Sequence, residues 1–322
     1  MKSFQQPDIS VVVPVYGCVE CLQDLYRRVA QVMACLGLEF ELLLVDDRGP
    51  GRPWEKIKDL AGRDSRVRGI RLSRNFGQHF AISAGIDFCT GKWLTVMDCD
   101  LQDLPEELPK LWHKAQEGYD IVLARRWERQ DGWAKRLCSK LFHKLWSYMT
   151  EEASDAAQAN FGLYSEQVVE ELKRLPEKAR VFPLLVRWLG FETISVDVDH
   201  AKREHGKSSY SWKKLFSLAA DGIVSYSNKP LKLFVLLGFC ISALSFCFGL
   251  WVIGRYLLYP GQTLMGWSSI MVSMYFLAGL LLFGLGILGV YVGRIFNQVK
   301  GRPLYVVKEV AQQPIVEQSS RR

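Results

Sequence analysis

The chain has 322 residues, of which 49% are apolar, with a formal net charge of +7 and eight cysteines. That length allows one main domain and something smaller. With no recognised module and no long basic tail, the modest basic excess argues against a nucleic-acid partner. It is either a solvated surface or an attraction to anionic lipid headgroups, since Lys and Arg cluster beside the apolar runs.

The first ten residues, MKSFQQPDIS, lack an apolar core, so no cleaved secretion signal is expected. Ile9–Val15 (ISVVVPV) is a β-branched run ending in a turn and predicts a buried first strand. Cys18 and Cys21 form a C-x-x-C, but no second Cys or His pair at zinc spacing completes a site. Free thiols in a reducing compartment are therefore expected. Glu20–Gly37 has helical apolar spacing and stops at a glycine, and Glu41–Val45 predicts a second strand that delivers Asp46 and Asp47 at its carboxyl end. A helix near Trp54–Ala61, a strand at Val67–Leu72, a helix at Gln78–Phe88 and a strand at Trp93–Met97 ending on Asp98 follow. Strands alternating with helices predict an open α/β fold with a mostly parallel sheet. In such sheets ligands bind beyond the carboxyl ends of the strands, where both acidic clusters fall.

A further apolar strand, Ile121–Ala124, precedes Arg125 and Arg126, guanidinium groups that suit phosphate if they are not simply solvated. Trp133–Tyr148 places Leu137, Leu141 and Leu145 on one helical face, with Lys135, Arg136, Lys140 and Lys144 around the other. It is either a helix packed on the core or one lying in the headgroup layer. Trp212–Tyr226 has the same character. Two uncharged runs follow, Leu233–Gly254 and Tyr256–Gly293. About 20 residues at ~1.5 Å each cross a hydrocarbon core of roughly 30 Å, so two transmembrane helices are predicted. Lys229 and Lys232 precede the first, Arg294, Lys300 and Arg302 follow the second, and the connection Tyr259–Gly266 carries no Lys or Arg. The positive-inside bias then places both termini in the cytoplasm. Glycines through Gly279–Gly293 permit close packing against another helix, and with it a homo-oligomer.

The strongest local chemical signal is Asp98-Cys99-Asp100-Leu101-Gln102-Asp103. Two carboxylates one residue apart at a strand end can hold a hard divalent cation that also binds diphosphate oxygens. The bland reading is an Asp-rich turn. Asp46-Asp47 favours the first reading, because nucleosides need carboxylate partners for ribose and base edges. The cationic, Gly-containing stretch Arg203-Glu204-His205-Gly206-Lys207-Ser208-Ser209-Tyr210 stands just before the membrane approach, where it can grip a phosphate at the bilayer surface.

Val13-Pro14-Val15-Tyr16, Val45-Asp46-Asp47, Arg74-Asn75-Phe76-Gly77-Gln78, Asp98–Asp103 with Pro105-Glu106, Arg203–Tyr210 and the closing Tyr291-Val292-Gly293-Arg294-Ile295 occur in order. Together they resemble the family 2 glycosyltransferases of GT-A (Rossmann-like) fold that act on polyprenyl phosphates, such as bactoprenol glucosyltransferases, aminoarabinose-lipid transferases and dolichol-phosphate mannose synthases. The resemblance implies an inverting, metal-dependent transferase of the bacterial inner membrane. It would carry a sugar from a nucleotide donor, expected to be a UDP-sugar, to undecaprenyl phosphate for cell-envelope glycan modification. It further implies a cytoplasmic catalytic domain over residues 1–210, an interfacial segment over 211–230, a transmembrane hairpin over 231–295 and a cytoplasmic tail over 296–322. Carried over residue by residue, Pro14, Tyr16, Asp46 and Asp47 would line the nucleoside pocket. Asp98, Asp100 and Gln102 would surround Mg2+ or Mn2+ and the diphosphate. Arg126, Arg136, Arg203 and Ser208 would receive the lipid phosphate. Asp98, Asp100, Arg126 and Arg203 would carry the catalytic role.

Four departures stand out. Gly17-Cys18 replaces the usual Asn-Glu, Arg48-Gly49 the usual Gly-Ser, and Asn160 an Asp that serves as base in many relatives. Ser209 stands where a Lys often follows Ser208. Two other classes fit less well. A processive polysaccharide synthase would show Gln-x-x-Arg-Trp, whereas Leu184 precedes Arg187-Trp188 here. A non-catalytic membrane scaffold would lack metal-dependent donor hydrolysis.

Overall fold

The computed structural model describes residues 6–126, 158–178, 180–199, 227–258 and 266–313. The amphipathic stretches Trp133–Tyr148 and Trp212–Tyr226, the motif Arg203–Tyr210 and most of the connection between the apolar runs lie outside the described residues. Those that are described fall into two compact units, an α/β head and a helical pair.

The head opens with β1 (Ile9–Val15), α1 (Leu22–Leu36), β2 (Phe40–Asp46), α2 (Pro53–Arg63), β3 (Val67–Leu72), α3 (Gln78–Phe88) and β4 (Trp93–Val96). These agree with the sequence expectations to within one or two residues. It continues with α4 (Leu108–Ala115), β5 (Ile121–Arg126), β6 (Gln158–Ser165), α5 (Glu166–Arg174), α6 (Phe182–Trp188) and β7 (Thr193–Val198). The helical pair is α7 (Lys229–Leu258) and α8 (Trp267–Val299), after which the chain returns to the head as β8 (Val307–Ala311). The single sheet runs β7-β5-β6-β4-β1-β2-β3-β8. Strands β4, β1, β2 and β3 are mutually parallel, as are β5 and β7, while β6 and β8 run against their neighbours.

All seven residues of β1 and all seven of β2 are buried, because helices cover both faces of the parallel section. Side chains along a strand alternate between those faces. Ile9, Val11, Val13, Val15, Leu42 and Leu44 pack with α1, α2 and α4. Val12, Leu43 and Val45 pack on the other face with α3, α5 and α6. This alternation continues past the strand ends and decides where the polar residues there are sent.

Helices α7 and α8 have 30 and 33 residues, long and apolar enough to cross a membrane. They pair antiparallel: Phe234, near the start of α7, packs on Phe283 of α8 with ring centroids 6.1 Å apart. The Tyr291 hydroxyl donates to the Ser227 carbonyl at 2.7 Å. Gly284 is the glycine of the second run that this contact uses, since a Cβ there would collide with the Phe234 ring.

One largely buried titratable group ties α3 to α6 on the second face. His79 of α3 accepts the backbone N–H of Phe182 through Nδ1 at 3.4 Å, and burial pushes its imidazole from 6.5 down to about 4. Between those values the unfolded chain binds a proton that the folded head refuses. Stability is therefore complete above pH 6.5 and falls as the pH drops toward 4, by at most about 3 kcal/mol from this group. Thermal unfolding of the wild type and of His79→Gln across pH 4–7 should show a steeper acid loss for the wild type. Parallel curves would show that the imidazole does not titrate this way.

Candidate functional site

Four loops gather at the carboxyl end of the parallel strands: those after β1, β2, β3 and β4. Strand β1 ends on Val15, and Pro14 is buried within it, while Tyr16 just beyond is 56% exposed. The loop after β2 packs directly against this turn. A Cβ on Gly49 would lie 2.8 Å from Tyr16 Cα and closer still to the Gly17 nitrogen, so a larger residue at position 49 would push the two loops apart.

Asp46 and Asp47 are adjacent in sequence and diverge in space. Asp46 has the parity of Leu42 and Leu44 and faces the α2 side, where its carboxylate accepts the Arg48 N–H at 2.9 Å. That bond closes a turn in which Arg48 takes φ 59°, a left-handed backbone. The Arg71 guanidinium reaches Asp46 at 3.4 Å and Glu309 of β8 at 3.6 Å, and lies over the Trp54 ring, 5.6 Å from its centroid. Asp46, Arg48, Arg52, Trp54 and Arg71 line a cleft of about 480 Å³. Asp47 has the other parity and faces α3. Its two oxygens accept the N–H groups of Phe76 at 2.7 Å and Gly77 at 2.8 Å, clamping the loop that leads into that helix. Burial pushes both carboxyls above their usual range. Arg48 and Arg71 oppose this at Asp46, and the two N–H groups oppose it at Asp47.

The same alternation governs the turn after β4. Asp98 accepts the Gln78 side-chain amide at 2.6 Å, on the α3 side, while its own N–H donates to Asp103 at 3.2 Å. Asp100 accepts the Gln102 N–H at 3.2 Å, and Leu101 between them takes φ 60°. Cys99 and Leu101 turn inward to the core of the α1 face. Farther along, Glu106 is held by Arg28 of α1 through Nε at 2.8 Å and Nη2 at 2.5 Å. Among the described residues no three His, Cys, Asp or Glu side chains form a metal cage. An ion of the Mg2+ type needs none when diphosphate oxygens complete its shell, and a two-carboxylate turn of oxygen donors suits it.

One expectation is corrected here. Cys18 and Cys99 are not free thiols but a disulfide, with Cα atoms 6.0 Å apart. Residues 81 apart in sequence meet because their strands, β1 and β4, are parallel neighbours. Arg125, read as a guanidinium for phosphate, forms an ion pair with Asp197 of β7 at 2.5 Å. Arg126 closes β5 opposite Val198. Arg136, Arg203 and Ser208 lie outside the described residues. Asn160 sits on β6, where its carbonyl accepts the Tyr164 hydroxyl at 3.0 Å. Sequence pattern alone assigns no role to Gln78, Arg71 or Glu309. Gln78 was visible as the last residue of the Arg74–Gln78 motif, whereas nothing in the sequence ties Glu309 to residue 71.

With this geometry in place, the comparison with known proteins is decisive. The model of glycosyl transferase family 2 matches residues 10–174, which hold the first four strands and both acidic turns. The chain is a family 2 glycosyltransferase. The α/β head with its mostly parallel sheet is the GT-A-like fold expected of that family. Similarity to relatives extends over nearly the whole enzyme. It is 36% identical over 302 residues to the SfII prophage-derived bactoprenol glucosyl transferase of Shigella flexneri, covering 94% of this chain and 97% of that one. It is 34% identical over 314 residues to the undecaprenyl-phosphate 4-deoxy-4-formamido-L-arabinose transferase of Edwardsiella ictaluri, covering 96% and 97%. Among solved structures it is similar to glucosyl-3-phosphoglycerate synthase from Mycobacterium tuberculosis, with a TM-score of 0.49 and 14% identity over 68% of this chain and 78% of that one.

The clamp at Asp47 gives this glycosyltransferase a testable joint. Asp47→Ala removes the acceptor of two backbone N–H groups at once and should cost about 2 kcal/mol or more of stability. It should also loosen Gln78, and with it the placement of Asp98. Chemical unfolding and hydrogen exchange of the backbone amides of residues 76–80 would measure the two effects. Unchanged unfolding would show that the loop before α3 does not depend on the carboxylate.

Proposed function

We propose that this family 2 glycosyltransferase moves a sugar from a nucleotide diphosphate donor, a UDP-sugar, onto undecaprenyl phosphate at the cytoplasmic face of the bacterial inner membrane. The observation that carries this reading is the near-full-length identity, helical pair included, to relatives named for bactoprenol and undecaprenyl-phosphate transfer. Positive-inside logic puts the head and both termini in the cytoplasm, with the short connection between α7 and α8 outside.

In this reading the nucleoside lies against Tyr16 and Asp46, in the cleft beside α2, and Asp47 holds the loop before α3. Asp98 and Asp100, with Gln102, would hold Mg2+ or Mn2+, which when bound neutralises the charge growing on the departing diphosphate. Gln78 fixes the carboxylate of Asp98, so the ligand is oriented before the donor arrives. Arg126, Arg136 and Arg203, with Ser208, would receive the lipid phosphate. One oxygen of that phosphate attacks the anomeric carbon from the side opposite the diphosphate. The new carbon–oxygen bond forms as the bond to the diphosphate breaks, with inversion. The nucleophile is already ionised near pH 7, so no general base is required, and Asn160 in place of an Asp is compatible with turnover. The protein contributes position and charge stabilisation more than acid–base chemistry.

Detergent-purified full-length protein, incubated with undecaprenyl phosphate, Mn2+ and a panel of nucleotide sugars, should give a lipid-linked monophosphate sugar from one donor. Chelation with EDTA should abolish it. Asp100→Ala should lower turnover at least about 100-fold, since several kcal/mol of transition-state stabilisation leaves with the ion. Near-native turnover by Asp100→Ala would remove the metal assignment. Growing polymer in place of a single-sugar lipid would identify a processive synthase, and absence of donor hydrolysis under every condition a scaffold.

A further inference from the structure

We propose that Cys18 and Cys99 form a reversible thiol-oxidation site that pins the nucleotide loop to the acidic turn, and that its oxidation tightens binding of the metal–nucleotide pair. The proposal rests on the reading of Asp98 and Asp100 as the metal carboxylates.

The case begins with position. Cys18 stands two residues after Tyr16, in the loop between β1 and α1, and Cys99 stands between the two carboxylates themselves. Strands β1 and β4 pair in parallel through Val12 and Val96, so the loops leaving them run side by side. The Cα separation of 6.0 Å lies within the 4.4–6.8 Å range typical of disulfides, so the two residues stand within bonding reach.

Direction is the second point. Cys99 is 6% exposed and faces the α1 side of the core together with Leu101, whereas Asp98 faces α3. The bond therefore reaches the acidic turn from the α1 side of the sheet, opposite the side on which Asp98 meets Gln78. Leu101 holds a left-handed backbone, an unfavourable conformation for a residue with a branched side chain, so the turn benefits from an external restraint. A cross-link across 81 residues of sequence restrains both loops where neither has another covalent tie.

The proposed cytoplasmic setting is the third point. Disulfides formed there are commonly transient and redox-sensing. With hydrogen peroxide as oxidant, one thiol sulfur attacks a peroxide oxygen, the O–O bond breaks, and a sulfenic acid and one water result. The sulfur of the second thiol then displaces the sulfenic oxygen, forming the S–S bond and releasing a second water. Two thiols and one peroxide thus become one disulfide and two waters, the sulfurs giving up two electrons in all. A dithiol reductant reverses the change and ends as its own disulfide.

The test uses full-length protein in detergent, treated with hydrogen peroxide or with dithiothreitol. Peptide mapping without reduction reads the linkage, and calorimetric titration with Mn2+ and UDP reads the site. The oxidised protein should show a Cys18–Cys99 cross-linked peptide. The reduced protein should bind UDP with Mn2+ roughly 3–10-fold more weakly, as expected when preorganisation is lost. Cys18→Ser and Cys18→Ala should match the reduced protein and ignore the redox treatment, with melting curves to show that they fold. Cys35→Ser, on the exposed face of α1, should behave as the wild type. Absence of the cross-link after peroxide, a Cys18–Cys21 cross-link in its place, or equal affinity in both redox states would each overturn the proposal. If the cross-link forms and neither state binds UDP with Mn2+, the donor-site reading itself falls, and the effect assigned to the pin falls with it.

Discussion

Side chains on a strand point alternately to its two faces, and in this head both faces are covered by helices. The placement of the acidic residues at the carboxyl end of the sheet follows from that alternation, carried from the last strand residue into the turn beyond it. Asp46 is sent toward α2 and Asp47 toward α3. One turn further along the site, Asp98 meets Gln78 of α3 while Cys99 enters the core on the α1 side. Neighbouring residues of similar chemistry thus acquire different duties. One aspartate borders an open cleft with an arginine, and the next is spent on holding a loop.

That division gives the site its internal coupling. The loop before α3 is held at one end by Asp47 and holds Asp98 at the other through Gln78, so the nucleotide side and the acidic turn share a mechanical connection. A second connection runs behind the sheet through Cys18 and Cys99. Gly49 supplies the close approach that lets the first two loops touch at all. On the far side of the cleft, Arg71 is positioned by Asp46, by the Trp54 ring and by Glu309, a residue contributed by the chain after the helical pair. A buried polar group at the opposite end of the strands serves stability instead. There Glu41 accepts bonds from Ser10 at 2.6 Å and from the backbone and hydroxyl of Thr90 at 2.6 and 2.9 Å, closing the amino end of the sheet.

The sequence was enough to determine the element types wherever periodicity was strong. The continuous β-branched runs of β1 and β2, the helical spacing of α1 and the two long uncharged stretches each admit one physical solution. The bounds of β1, β2 and α1 agree with the sequence expectations to within two residues, whereas α7 (Lys229–Leu258) outruns its uncharged stretch at both ends and α8 (Trp267–Val299) starts well inside the second stretch and ends beyond it. Family membership was equally legible, because an ordered series of weak motifs constrains far more than any one of them. The strands β6 and β8 break their alternation with glycine or adjacent charges and pair because a neighbour's backbone groups wait to be paired, whereas Thr193–Val198 of β7 alternates polar and apolar residues in a run too short to stand out by pattern alone. Tertiary structure alone decided the partners: which aspartate faces the cleft, that Gln78 serves Asp98, that Glu309 returns to Arg71, and that Cys18 meets Cys99. Each of these pairings joins residues distant in the chain or depends on which face of the sheet a side chain enters, and local sequence pattern encodes neither the sheet order nor its orientation.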